Sequence, residues 1–260
     1  MKAGRLAGVL VAGLALGLWV GERRRPLRAP PLDPNRHDLR NTVIAALSAA
    51  TVTLVQAPLV GPLSQAVERR RLGVLQKLPG PEWVRTTAAV LLMDYSLYGW
   101  HVLTHRTPWL WRLHATHHSD RHLTASTALR FHFLEMAASV PYRALQVRLL
   151  GVGPGALALW QNLTLGAILF HHSNLRLPNE LERMIGWVLA TPHMHGIHHS
   201  ADREERDSNW SSGLSLWDRL HGTLRLDPPQ DQLRIGVPAV DQILSVPEAL
   251  HLPLTPEGRR

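Results

Sequence analysis

Three groups of histidines, spaced as neighbours on one helix face, constrain the fold of this chain more than any other feature. His101 and His105 form an HxxxH pattern, and HxxHH patterns follow at residues 114–118 and 195–199. Residues three and four apart share a helix face, so each pattern directs its imidazoles to one side. If the histidines act together, the fold must bring these helices to one end of the molecule.

The number of imidazoles indicates more than one metal ion. Imidazole suits iron, zinc, copper or nickel, and the eight imidazoles of the three patterns exceed the roughly four to six positions around a single ion. The patterns therefore predict a pair of metal ions. The chain has no cysteine, which excludes disulfides, cysteine-bound iron–sulfur clusters and cysteine nucleophiles.

Arginine runs beside apolar stretches predict contact with a membrane. The net charge is +8, and arginines cluster at residues 23–28 and 69–71. Basic groups that flank apolar segments suit anionic lipid headgroups, and this placement argues against nucleic-acid binding. The apolar run at residues 6–21 matches a signal-peptide core or a short membrane helix in length, and the arginines after it favour a retained anchor.

A second apolar stretch covers residues 42–63, which is close to the ~20 residues that cross a bilayer. Pro58 and Pro62 predict a kink or an early end within it. Residues 133–150 carry Pro141 and Arg143, so an interfacial helix or a broken span is expected there.

The segment from residue 84 to His105 predicts a helix with one polar face. Asp94, Tyr98, His101 and His105 follow one another at steps of four, three and four. We expect Asp94 and Tyr98 to hydrogen-bond the imidazoles that bind metal. An apolar run at residues 155–170 leads into the next histidines, so the chain can descend into the membrane after His132 and return at His172.

Several ordered motifs resemble the fatty acid hydroxylase or sterol desaturase superfamily of integral-membrane, nonhaem di-iron oxygenases. The resemblance covers roughly Asp94 to Thr223. Its motifs are DxxxYxxHxxxHR at 94–106, LWRxHxxHHSD at 110–120, RFH at 130–132 with Glu135 following, HSN at 172–174, TPxMHxxHHS at 191–200 and LSLWDRL at 214–220, followed by Gly222 and Thr223. Trp210, Phe133 and His221 depart from the residues usual in that superfamily.

The resemblance implies the metal ligands and the chemistry. The implied ligands are His101, His105, His114, His117, His118, His132, His172, His195, His198 and His199. They would hold two iron ions that use O₂ and external electrons to hydroxylate or desaturate a C–H bond of a sterol, fatty acyl or related lipid. His122, His171 and His193 lie beside these positions without matching them.

The predicted fold is all-α, an integral-membrane helical bundle with a peripheral histidine-rich di-metal catalytic cap. Residues 1–36 would form an anchor and proline-rich linker, and residues 37–83 a second membrane segment and basic loop. Residues 84–223 would form the catalytic domain, and residues 224–260 a peripheral tail.

The sequence also limits the partners. It shows no dinucleotide-binding or haem-attachment motif, so electrons are expected from a cytochrome b5-like protein, a ferredoxin or a reductase. The Gly258–Arg260 end carries no endoplasmic-reticulum retention signal, which favours a bacterial inner membrane with the histidines on the cytoplasmic side. Two alternatives remain: a noncatalytic membrane protein that binds or transports metal, and a metal-dependent hydrolase.

Overall fold

The structure is a computed structural model that describes residues 2–258, with side chains from residue 7 onward. Met1, Arg259, Arg260 and the side chains of residues 2–6 lie outside the described residues. Over the described part, twelve α-helices follow one another in the order α1 (Lys2–Arg24), α2 (Pro34–Thr51), α3 (Ala57–Arg69), α4 (Glu82–Arg106), α5 (Pro108–His118), α6 (Phe133–Gln146), α7 (Pro154–His172), α8 (Asn179–Gly186), α9 (Pro192–His198), α10 (Arg203–Arg206), α11 (Leu216–His221) and α12 (Val246–His251).

Short helical turns connect some of these helices. The π-helical turns are Val52–Gln56 and Val147–Gly151, and the 3₁₀ turns are Leu75–Lys77, Ala125–Leu129, Leu252–Leu254 and Pro256–Gly258. Within residues 2–258 the backbone forms no β-strand and only isolated bridges, such as the one between Pro26 and Leu175. The prediction of an all-α fold is confirmed.

Helices α2 and α3 join into one long helix across the π-helical turn Val52–Gln56. A proline ring crowds the carbonyl of the preceding turn, and a π turn widens the helix and accommodates it, which explains why Pro58 does not end the helix. The early end considered above therefore does not occur, and the helix runs on to Arg69. Among the described residues this 36-residue stretch, Pro34–Arg69, is the one helix whose length and apolar composition would let it cross a membrane.

Helices α3, α4 and α7 pack side by side around an apolar core that includes Val67, Met93 and Trp160. Helix α1 lies along α7, where Leu18 and Leu169 share a second buried cluster. The chain enters α6 next to His132 and returns through α7 to His172, as the sequence predicts.

The C-terminal tail packs on α5. Val237, Leu244 and Leu252 bury Trp111, and the Thr116 hydroxyl donates a hydrogen bond to the Ala249 carbonyl at 3.0 Å. Apolar residues of the tail thus shield the outer side of the helix that carries His114, His117 and His118.

Candidate metal centre

One group of four buried imidazoles forms where α4 turns into α5. It consists of His101, His105, His114 and His118, whose nearest ring nitrogens all lie within 4.8 Å of one another. Pro108 disfavours helical backbone at Thr107, which adopts an extended conformation (φ −98°, ψ 115°) and ends α4. The sharp turn at Thr107 folds α5 back, so that two pairs of histidines from consecutive helices face each other.

A second group combines three helices that are distant in sequence. It consists of His117 on α5, His172 at the end of α7, and His195 and His199 on and after α9, again within 4.8 Å. The Nε2 atom of His172 lies 3.0 Å from that of His117 and 3.0 Å from that of His195. Imidazoles that share an ion at a metal–nitrogen distance of about 2.0–2.1 Å have nitrogens about 3 Å apart, so these spacings fit ligands of one ion.

The two groups adjoin each other. His117 and His118 are consecutive residues on different sides of the helix and belong to different groups. The ring of His118 stacks on that of His199 with their centroids 4.2 Å apart. His198 borders the first group, with its centroid 4.5 Å from that of His101. The arrangement therefore offers neighbouring positions for two metal ions.

Hydrogen bonds orient four of these rings. Each of the four uses Nδ1 to donate to a fixed oxygen, which leaves the Nε2 lone pair available to a metal. The pairs are His101 with the Trp210 carbonyl (2.8 Å), His114 with the Glu135 carboxylate (2.8 Å), His172 with the Ile168 carbonyl (2.7 Å) and His198 with the Ser208 carbonyl (2.9 Å).

The unpaired nitrogens fit metal ligands. Nε2 of His114, Nε2 of His198 and both ring nitrogens of His118 are buried without a hydrogen-bond partner. Leaving such a group unpaired costs about 1–3 kcal/mol, and coordination to an ion would remove that cost. Burial, together with repulsion from neighbouring imidazoles, holds the pKa of His117 and of His199 well below the ordinary value. Both rings are therefore neutral and have a lone pair to offer.

His132 lies outside both groups. Eight of the other nine implied ligands form the two groups, and the ninth, His198, borders the first group. Its Nδ1 accepts a hydrogen bond from the Leu134 backbone N–H at 3.1 Å and caps α6, and its Nε2 donates to the Leu250 carbonyl at 3.1 Å. Both ring nitrogens are thus engaged with backbone groups. In this structure His132 connects α6 to the tail and presents no lone pair to a metal.

Asp94 and Tyr98 do not make the contacts that we expect from the sequence. The Asp94 carboxylate accepts hydrogen bonds from the Leu214 backbone N–H (3.0 Å) and the Trp217 indole N–H (2.7 Å). The Tyr98 hydroxyl bonds the Thr223 hydroxyl at 3.1 Å. A shared helix face does not imply contact, because seven residues of helix place Asp94 about 10 Å along the axis from His101.

The sequence did not reveal the four hydrogen-bond acceptors that orient the imidazoles. Three of the four are backbone carbonyls, which carry no residue signature. Glu135 stands in a quoted motif, yet its partner His114 lies twenty-one positions earlier and no local spacing connects them. His171 is also fully buried, with its ring centroid 4.0 Å from that of His195, although it belongs to neither group.

An apolar groove of about 720 Å³ runs beside the metal centre between α1, α4 and α7. Leu14, Leu91 and Leu163 line it, and it reaches Phe170, which directly precedes His171 and His172. Its volume lies within the range of about 300–1,000 Å³ that is usual for small-molecule sites. No metal-group histidine lines this groove, and none lines a separate cavity of about 530 Å³ in the C-terminal tail.

Known proteins match this chain over its central part. The sequence profile of the fatty acid hydroxylase family matches residues 86–223, more than half of the chain. The chain is 30% identical to ornithine lipid hydroxylase OlsE of Rhizobium tropici over 60% of its own length and 46% of that protein. It is 27% identical to rat (Rattus norvegicus) cholesterol 25-hydroxylase over 56% of its length and 49% of that protein.

A third relative is alkylglycerol monooxygenase of Homo sapiens, with 31% identity over 54% of the chain and 30% of that protein. The chain therefore matches half or less of the length of each of these relatives. No solved structure matches the chain.

Proposed function

The chain belongs to the fatty acid hydroxylase family, and from that premise we propose that it is a membrane-bound di-iron oxidoreductase that hydroxylates a membrane lipid. The observation that carries the proposal is the pair of adjoining groups of four buried imidazoles beside an apolar groove. The relatives are named as lipid hydroxylases and a monooxygenase, which favours hydroxylation over desaturation.

The ligand set supports iron chemistry over the two alternatives. A hydrolase needs a general base near a metal-bound water, but neither group contains a carboxylate. One oxygen of the nearby Glu135 already accepts a hydrogen bond from His114. Metal transport would require polar groups spread along several membrane segments, whereas the imidazoles of the two groups lie close together near the C-terminal ends of α4 and α7.

The chemistry at the site would come from the iron. Two iron ions held by the two groups would supply the reduction of O₂ that the attack on an unactivated C–H bond requires. The residues of the chain would hold the ions with neutral imidazoles, while hydrogen bonds at Nδ1 fix the ring orientations and burial keeps bulk water out. Leu14, Leu91 and Leu163 would hold the apolar part of the lipid in the groove next to Phe170.

Electrons and location are also proposals. The chain has no cysteine for an iron–sulfur cluster of its own, so we propose delivery by a cytochrome b5-like protein, a ferredoxin or a reductase. The relative OlsE comes from Rhizobium tropici, which favours a bacterial inner membrane, and we propose that the histidine end faces the cytoplasm. Reporter fusions at the C-terminal end, which packs near this centre, would test that orientation.

The decisive experiment measures metal, oxygen and product together. Protein purified anaerobically should hold roughly two iron ions per chain, one for each group, and should consume O₂ after reduction. Lipids from cells that express the chain should contain a species heavier by one oxygen atom. The His117→Ala variant should lose iron and product, while His193→Ala, outside both groups, should keep both.

Two results would contradict the proposal. Protein with less than about one iron per chain and no O₂ consumption would favour a noncatalytic metal-binding protein. A His117→Ala variant that retains full turnover would remove the second group from the catalytic centre.

A further inference from the structure

Helices α8 and α11 and the residues that follow α8 expose an apolar surface outside the metal centre. Six large apolar side chains there keep between 42% and 66% of their surface exposed. We call this surface the apolar plate, and it consists of Leu181, Met184, Trp187, Val188, Leu216 and Leu220. Single exposed apolar residues are ordinary, but a cluster of this size on two adjoining helices marks an interaction surface.

Hydrogen bonds tie the two halves of the plate together. The Ser215 backbone N–H donates to the Val188 carbonyl at 3.0 Å, and the Ala190 N–H donates to the Gly213 carbonyl at 2.9 Å. The Arg219 guanidinium donates to the Gly186 carbonyl at 2.9 Å. The end of α8 and the start of α11 therefore form one unit, and the plate is a feature of the folded state.

The plate is amphipathic in the way that membrane-surface helices are. Leu181, Met184 and Val188 follow at steps of three and four and share a face of the helical segment, whereas Asn179 and Arg183, four residues apart, share another face and are exposed. The Arg219 guanidinium lies over the Trp187 ring, 4.2 Å from its centroid. Exposed tryptophan beside arginine is typical of the boundary between acyl chains and headgroups.

The plate continues into the apolar lining of the groove. The groove is lined by Leu91 and Leu163 together with Ile185 and Leu189, which directly follow the plate residues Met184 and Val188 in sequence. Leu214, next to the start of α11, lines it as well. The plate thus borders the groove that lies between α1, α4 and α7, and this continuity favours lipid over a soluble protein as its occupant.

We propose that the apolar plate rests in the headgroup and upper acyl region of the bilayer at the edge of the groove. In that position it sets the height of the groove and of the metal centre relative to the membrane, so that lipid can pass from the bilayer into the groove. The proposal rests on the membrane location included in the proposed function, but not on its metal or its reaction.

The absence of cysteine from the chain permits a direct test. Met184→Cys on the plate would be compared with Asn179→Cys, an exposed control on the polar side of α8, each labelled with an environment-sensitive fluorophore. Leu54→Cys, in the long helix Pro34–Arg69 and 75% exposed, reports whether the chain is inserted at all. The full chain is placed in nanodiscs of phosphatidylethanolamine and phosphatidylglycerol.

We expect lipids that carry a nitroxide near the headgroup to quench the Met184→Cys label several-fold more than the Asn179→Cys label. Aqueous iodide should show the reverse order. Trp187→Cys, as a second plate position, should behave like Met184→Cys. These readouts do not require bound iron, so they succeed or fail independently of the oxygenase chemistry.

Three outcomes would overturn the inference. Equal quenching of the Met184→Cys and Asn179→Cys labels by iodide, with Leu54→Cys in contact with lipid, would leave the chain in the membrane and the plate in water. Loss of lipid contact at Met184, Trp187 and Leu54 would reject the membrane location as well. A disulfide between two copies of the unlabelled Met184→Cys variant, with no lipid quenching, would assign the plate to a second copy of the chain.

Discussion

The orientation of single imidazoles depends mostly on the backbone. Trp210, Ile168 and Ser208 each offer a carbonyl to an Nδ1–H, whereas Glu135 offers a side chain to His114. Glu135 is therefore the ring-orienting group that a point mutation can remove without moving the backbone. A carboxylate in this position also raises the basicity of the ligand.

Replacing Glu135 with alanine should weaken metal binding. We expect about a 10–100-fold loss of metal affinity, because His114 loses the acceptor that fixes its tautomer. Glu135→Gln keeps an acceptor oxygen and should recover part of the loss. Titration of metal-free protein with Fe²⁺ would measure both, and Glu82→Gln, exposed at the start of α4, is the control. Equal affinities for all four proteins would exclude this role.

His132 and His172 should respond differently to alanine. His132→Ala should keep its iron, since both ring nitrogens bond backbone groups, but should destabilise the protein by about 1 kcal/mol through loss of the cap on α6. His172→Ala should lose metal from the second group. Iron content and thermal unfolding of the two variants distinguish these roles. Iron loss in His132→Ala with unchanged stability would instead make His132 a ligand.

The segment between α10 and the end of α11 is held on α4 by a chain of hydrogen bonds. The Tyr98 hydroxyl donates to Thr223, whose hydroxyl donates to the Asp218 carboxylate at 2.7 Å. The same carboxylate accepts a hydrogen bond from the Trp210 backbone N–H at 2.8 Å, and the Trp210 carbonyl accepts one from His101 Nδ1. A Cβ at Gly213 would collide with the Asp94 carboxylate, so the close approach of this segment requires glycine.

Asp218→Ala should release this segment. Two buried backbone donors, on Trp210 and Ser211, would lose their acceptor, and each costs about 1–3 kcal/mol when unpaired. We expect a lower unfolding temperature and a preferential loss of metal from the first group through His101. Calorimetry and iron analysis test this, with the exposed Asp231→Ala as control. Unchanged iron content together with a lowered unfolding temperature would limit Asp218 to a role in stability.

The N-terminal part of the chain, which precedes the family match, supports the metal centre. The Glu22 carboxylate accepts from the Ala125 and Asn174 backbone N–H groups, both at 2.9 Å. The buried Arg28 guanidinium donates to the Pro192 carbonyl, in the first turn of α9, at 3.1 Å. These contacts reach the loop after His172 and the helix that carries His195.

Arg28→Met should loosen the second group. The loss of the contact with the Pro192 carbonyl frees the first turn of α9, so we expect weaker retention of one metal ion during dialysis against a chelator. Arg24→Met removes an exposed arginine four residues earlier and should retain metal like the unmodified protein. The rate of iron loss measures the effect. Identical rates for the two variants would show that α9 holds its position without Arg28.

The sequence by itself determined the helical class and the family, and it predicted nine histidines that the structure brings together as well as His132, which lies apart. Spacing of four residues depends only on helix geometry, so the two histidines of the HxxxH pattern, and the first and last histidines of each HxxHH pattern, share a face before any tertiary contact forms. The apolar runs at residues 42–63 and 155–170 likewise predicted helices, because backbone groups in an apolar setting must be satisfied within the segment. The boundaries of the four predicted parts stay a prediction.

Only the tertiary structure decided how the histidines divide. His117 and His118 are adjacent in sequence but lie in separate groups, because consecutive helix residues point about 100° apart and meet different neighbours. Contacts across long sequence separations likewise engage His132 with the tail and turn Asp94 toward Trp217. Such contacts depend on which helix packs where, and the spacing of residues along one helix carries no record of that packing.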